Sequence, residues 1–171
     1  MLSRTVCFCI ALTTAATSVA LADPGLVPPD GWTHVDNAGT PDPARTFDTW
    51  KQSSSPGSQT ITVIKDTTGS YADSVARVKK NFSTNGIKPS VDTDLTCQGQ
   101  ASHVFEFATG PDGHQFVVNR TIVPLTAGVI TVTYVRSETQ VFNDAVKTSI
   151  TAFCSETPPG AAAAAPASKP K

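Results

Sequence analysis

Hydrophobic positions along the chain follow two rhythms, an alternation typical of half-buried strands and a three-to-four spacing typical of amphipathic helices. Gly31-Trp32-Thr33-His34-Val35 reads as a short edge strand, set between the turn signals Pro28-Pro29-Asp30-Gly31 and Thr40-Pro41-Asp42-Pro43. Thr46 to Lys51 and Thr60 to Lys65 read as two further strands, with Ser53 to Ser58 as a loop between them. From Ser70 to Asn85 the period changes. Tyr71, Val75, Val78 and Phe82 share one helical face, while Asp73, Arg77, Lys80 and Asn81 fall largely elsewhere. Ser70 with Asp73 resembles a capping box, and Asn85-Gly86 supplies the stop. The Tyr71/Phe82 face is expected to lie on the sheet.

Ala101 to Arg136 reads as the central antiparallel sheet, three β-rich runs divided by Gly110-Pro111-Asp112-Gly113 and by the residues before Gly128. Ser90 to Gln100 leads into it, with Gln98-Gly99-Gln100 as the break. Asp92 and Asp94 alternate there without the glycine and distal glutamate of a calcium loop, so they are expected on a solvated strand face. In the first central run His103, Phe105 and Phe107 share one side, and Val104, Glu106 and Ala108 the other. His103 and Glu106 therefore do not make a metal pair. In the next two runs Arg120 shares its parity with Phe116, Val118 and Ile122, and Arg136 with Ile130, Val132 and Tyr134. An arginine on a partly buried face has two readings. It holds a carboxylate or phosphate through parallel hydrogen bonds, or it sits near a strand end and snorkels to water or pairs with an acid such as Glu106. Ser137 to Cys154 is the second helix, with Phe142, Val146, Ile150 and Cys154 spaced by four and Ser137/Gln140 as its capping box.

Targeting changes which residues belong to the working protein. Arg4, the apolar run Val6 to Leu12 and Ala20-Leu21-Ala22 make residues 1–22 a signal peptide cleaved after Ala22. The apolar run is too short to span a membrane, and no cysteine stands where a lipid anchor would need one. Export to the periplasm or beyond is expected. Residues 23–30 form an N-terminal linker, 31–156 a single α+β domain, and 157–171 a Pro/Ala-rich tail without material for a core. Of four cysteines, Cys97 and Cys154 remain after cleavage. In an oxidising compartment they are expected to pair, fastening the last helix to the sheet.

Candidate chemistry is sparse. The formal net charge is −1 and Lys79-Lys80 is the only adjacent basic pair, so a nucleic-acid partner is not expected. There is no Gly-x-Ser-x-Gly, no His-Glu-x-x-His and no Cys-x-x-Cys, and none of His34, His103 and His114 stands beside a plausible catalytic nucleophile in sequence. No catalytic residue, metal or cofactor is assigned, and a hydrolase is the least favoured reading. Asn81-Phe82-Ser83 and Asn119-Arg120-Thr121 match the glycosylation acceptor pattern.

The order of elements, with Gly31-Trp32, Gln59-Thr60-Ile61-Thr62-Val63, Cys97-Gln98-Gly99, Thr133-Tyr134 and Phe153-Cys154 at its joints, resembles the Mog1/PsbP-like superfamily, and within it the small exported bacterial members. The resemblance covers Gly31 to Cys154. It implies a curved antiparallel sheet packed between an earlier and a C-terminal helix, and an accessory or binding role without a catalytic set. The leading expectation is therefore a monomeric, non-catalytic exported domain that binds a protein partner, with Trp32 and Trp50 as candidate interface anchors. The alternative is a carrier or sensor of a small anion near Arg120 or Arg136.

Overall fold

A computed structural model describes residues 25–35, 42–54, 57–111 and 114–155. The signal peptide and the tail predicted from sequence lie outside these residues. The fold is α+β: a seven-stranded sheet in the order β1-β2-β3-β7-β6-β5-β4, antiparallel at every junction, with two helices. The strands are β1 (Thr33–Val35), β2 (Arg45–Ser54), β3 (Gly57–Asp66), β4 (Val91–Cys97), β5 (Gln100–Thr109), β6 (Phe116–Pro124) and β7 (Val129–Ser137). Helix α1 (Tyr71–Asn85) carries the chain from β3 to the far edge at β4, and α2 (Asp144–Ser155) follows β7. No helix among the described residues is long and apolar enough to cross a membrane.

Strand parity divides the core into two. Phe105, Phe107, Val118, Ile122 and Val129 project to one face and meet Val78 and Phe82 of α1, with Tyr71 and Val75 half-buried at the rim. The Phe82 ring meets Phe105 and Phe107 edge-on at 5.4 and 4.8 Å, a favoured aromatic geometry. Ile61, Val63, Ile130, Val132 and Tyr134 project to the other face, where α2 contributes Val146 and Phe153. Leu26 is buried in that second cluster, so the packed unit takes in residues that the sequence assigns to a linker.

Local signals explain where α1 begins and ends. Ser70 accepts the Asp73 N–H at 3.3 Å, and the chain leaves through Gly86 at φ 64, where a side chain would be strained. The second helix departs from expectation. Ser137 and Gln140 do bond to each other, the Ser137 N–H to Gln140 Oε1 and the Gln140 N–H to the Ser137 carbonyl, both at 3.0 Å, but they close a turn. Asn143 is the cap, its Oδ1 accepting from the N–H groups of Ala145 and Val146. Phe142 thus precedes the helix and packs on Tyr134, with ring centroids 5.0 Å apart. A side-chain acceptor nearer the Val146 stripe wins, because it leaves Phe142 free to reach the sheet.

Cys97 and Cys154 form a disulfide that ties α2 to the β4–β5 turn. The same turn caps the helix. Gln98, at φ 53, donates its backbone N–H to the Cys154 carbonyl at 2.6 Å and its Nε2 to the Phe153 carbonyl at 3.2 Å, satisfying carbonyls that a helix end leaves without partners. At the same end of the strands Gly128, at φ 98, closes the β6–β7 turn against the backbone of Asp66 and Thr67. Any Cβ there would run into the Asp66 carbonyl, so glycine is what lets β7 lie close to the start of α1.

Candidate functional site

Because α1 runs from β3 across to β4, it covers β5 and β6 closely and leaves a recess over β3 and β7. The floor of the recess follows from the register of four neighbouring strands. Arg45, Asp66 and Val129 form one row; Ile64, Thr131 and Ile122 form the next; Thr133 and Arg120 form the third. Helix residues Ser74, Arg77, Val78 and Asn81, spaced as one helical face, make the roof. The cavity they enclose is about 380 Å³, within the range of small-molecule sites.

Charge in this cavity is unbalanced. Arg45, Arg77 and Arg120 face it, with Asp66 as the one carboxylate among its described lining residues. Asp66 Oδ1 accepts from the Thr68 side chain and N–H, each at 3.0 Å, and from the Gly69 N–H at 2.6 Å. The Thr68 side-chain bond first, then the backbone bonds and Arg45, hold its carboxyl below the usual range against the opposing effect of burial. Arg45 also lies over the Phe47 ring at 5.1 Å.

Arg120 is the exceptional group. Burial pushes its guanidinium pKa down, and its one hydrogen bond among the described residues runs from Nε to Thr133 Oγ1 at 3.3 Å. No described carboxylate lies within ion-pair distance of it. A guanidinium has five N–H donors, and no fully buried side-chain nitrogen or oxygen among the described residues lacks a partner. The remaining donors of Arg120 therefore open onto the cavity. They form a preset, partly desolvated fork that suits a carboxylate or phosphate.

Arg136 takes the other course. Strand alternation puts it on the α2 side of the sheet, where it donates to the Gln140 carbonyl at 3.0 Å, approaches Glu106 at 3.8 Å and lies over Phe142 at 5.9 Å. The two arginines singled out from sequence thus serve opposite faces and cannot share a ligand. Trp32 and Trp50 are half-buried against the α2-side core.

A second constellation goes further than its expectation. Asp92 and Asp94 share an exposed strand face, as expected, and also hold His103 between them. Nε2 lies 2.7 Å from Asp92 Oδ1 and Nδ1 lies 2.7 Å from Asp94 Oδ1. A carboxylate only accepts, so in each contact the facing ring nitrogen is the donor. Register explains the arrangement: Asp94 is directly opposite His103 across the β4–β5 hairpin, and Asp92 is its diagonal neighbour. Lys79 of α1 reaches Asp92 at 3.2 Å and lies over Phe105, so the cluster pins the helix to the sheet edge. Among the described residues no group of three or more His, Cys, Asp or Glu side chains is placed to hold a metal ion.

Burial opposes ionisation of Asp92, but hydrogen bonds from His103 and Lys79 outweigh it and keep the carboxyl below its usual range. A carboxyl with a depressed folded-state pKa stabilises above its unfolded value of about 3.9 and ceases to do so as pH falls through the folded value. The stability difference between wild type and Asp92→Asn, about 1 kcal/mol or less for so exposed a pair, is therefore expected to shrink below about pH 4. Urea midpoints of both proteins at pH 7 and pH 3 check this. A difference that persists unchanged at pH 3 would contradict it.

The cavity residues Arg45, Asp66, Arg77, Asn81, Thr131 and Thr133 were not signalled as a site by sequence. The clue lay in parity: Thr131 and Thr133 place hydroxyls on the strand side opposite Ile130, Val132 and Tyr134, a side that an amphipathic helix also needs to cover.

No family model and no curated protein matches the chain. Among solved structures, PA94 from Pseudomonas aeruginosa, a protein of unknown function, is similar with a TM-score of 0.49 and 16% identity, over 63% of this chain and 84% of that one.

Proposed function

We propose that this chain is an exported, non-catalytic binding domain whose α1-side cavity takes a small organic anion. The observation that carries the reading is Arg120, a desolvated guanidinium with a single hydroxyl partner, facing a cavity that two further arginines line. Leaving such a charge without a counterion costs stability, which makes sense where a ligand supplies the missing carboxylate. The Mog1/PsbP-like assignment belongs to the same proposal and is supported by the antiparallel sheet between two helices. A carrier or sensor role fits a recess built on strands and a helix that hold its groups in fixed positions.

An accessory role with a protein partner is the second reading. Phe47 favours it: 43% exposed on β2, directly beside Ile64 of the cavity, it offers apolar surface where a ligand-dependent partner would sit.

Native mass spectrometry of gently purified protein, followed by melting curves in a panel of organic anions, tests the proposal. A retained acid, or an anion that raises the melting temperature, is expected; a ligand at a hundred times its Kd adds about 2.7 kcal/mol of stability. Absence of both a retained acid and any anion-dependent rise would overturn it.

A further inference from the structure

Resting on that reading, we infer that the ligand is a short aliphatic dicarboxylate, bound with one end on Arg120 and the other toward Arg77. The cavity presents its positive charge at two ends. Arg120 stands in the row with Thr133 and Thr62, whereas Asp66 and Val129 stand four residues further along β3 and β7, about 13 Å away at a strand rise of about 3.3 Å. Helix α1 begins at this second end. Gly69, which leads into it, is so close to Asp66 and the Val129 side chain that a Cβ would touch both. Arg77 donates through Nη2 to Ser74 Oγ at 3.4 Å, one turn back, so its guanidinium is laid toward the helix start.

Between the two cationic ends lies the row Ile64, Thr131 and Ile122, with Val78 above it. Three aliphatic side chains suit a hydrocarbon chain, and the Thr131 hydroxyl adds one polar contact. Asp66 offsets Arg45, which leaves Arg77 and Arg120 without a described carboxylate and matches a ligand of charge −2. A compact phosphate fits less well. It is usually cradled by converging backbone N–H groups at a helix N-terminus or nest, and here the donors are side chains from separate elements, Arg77 well inside α1.

Calorimetric titration of the purified protein with glutarate, butyrate and inorganic phosphate, at one ionic strength, separates the possibilities. Glutarate is expected to bind at least tenfold more tightly than butyrate or phosphate. In Arg77→Gln, whose fold is checked by its melting curve, the preference for glutarate over butyrate is expected to collapse to about twofold. Equal binding of glutarate and butyrate to wild type would overturn the dicarboxylate while leaving the anion cavity standing. Tighter binding of phosphate would overturn it in favour of a single compact anion. Binding of none of the three by the cavity would remove both the dicarboxylate and the reading it rests on.

Discussion

Replacing Cys97 and Cys154 together by serine is expected to lower the unfolding free energy by about 4 kcal/mol and the melting temperature by about 8–16 °C. The bridged residues are 57 apart in sequence, and cross-linking a loop of that length removes a large share of the freedom of the unfolded chain. The bridge also has a local consequence. It holds the β4–β5 turn where Gln98 donates two hydrogen bonds to the last turn of α2, so without it the end of that helix is left to its packing through Val146 and Phe153. Thermal unfolding of the double variant beside the unreduced wild type measures the effect. A loss below about 1 kcal/mol would show that the α2-side core holds the helix without the bridge.

Replacing Arg120 by methionine is expected to separate binding from stability. Loss of a charge-assisted, bidentate contact removes about 1.5–3 kcal/mol of binding, roughly a 10- to 150-fold weakening for any carboxylate ligand. Stability should move the other way. The guanidinium is desolvated, has no described carboxylate beside it and donates one hydrogen bond, to Thr133; a methionine of similar length fills the space without the charge. A rise of about 1 kcal/mol in unfolding free energy is expected, as at other sites where function is kept at the expense of stability. Urea unfolding and anion titration of the same preparation read both effects. A clear fall in stability would mean that Arg120 supports the fold and that its place in the cavity is incidental.

How much of this was legible beforehand depended on whether a feature was local. The α1 stripe of Tyr71, Val75, Val78 and Phe82, its Ser70 cap and its Gly86 end are written in consecutive turns of one helix, and the structure keeps all of them. The parity of β5, β6 and β7 was equally readable, because alternation needs no knowledge of the partner strand. What parity could not say was which arginine would meet an acid. Arg136 approaches Glu106 from a strand two places away, while Arg120, on the opposite face, has Thr133 across from it instead. The pairing reading of a strand arginine fits Arg136, while Arg120 is left facing the cavity.

The His103 cluster and the cavity stayed hidden for a related reason. Asp94 and His103 are neighbours only once the Gln98-Gly99 turn fixes the hairpin register, and a shift of one residue would send the carboxylates to the other face. Arg45, Arg77 and Arg120 come from β2, α1 and β6, elements joined only by the completed sheet and the crossing of α1 over it. At the second helix the sequence did carry a true local signal, the mutual bonding of Ser137 and Gln140, but the same pattern closes a turn when Asn143 stands closer to the apolar stripe.

The most direct measurement of the central claim is an amide-resolved NMR titration of the isotope-labelled protein with glutarate. Saturable shifts are expected at Ser74, Arg77, Arg120, Thr131 and Thr133, with Arg136, Phe142 and Val146 on the far face of the sheet unmoved. Shifts centred on Arg136, or none at Arg120 and its cross-strand partner Thr133, would contradict an anion site beneath α1.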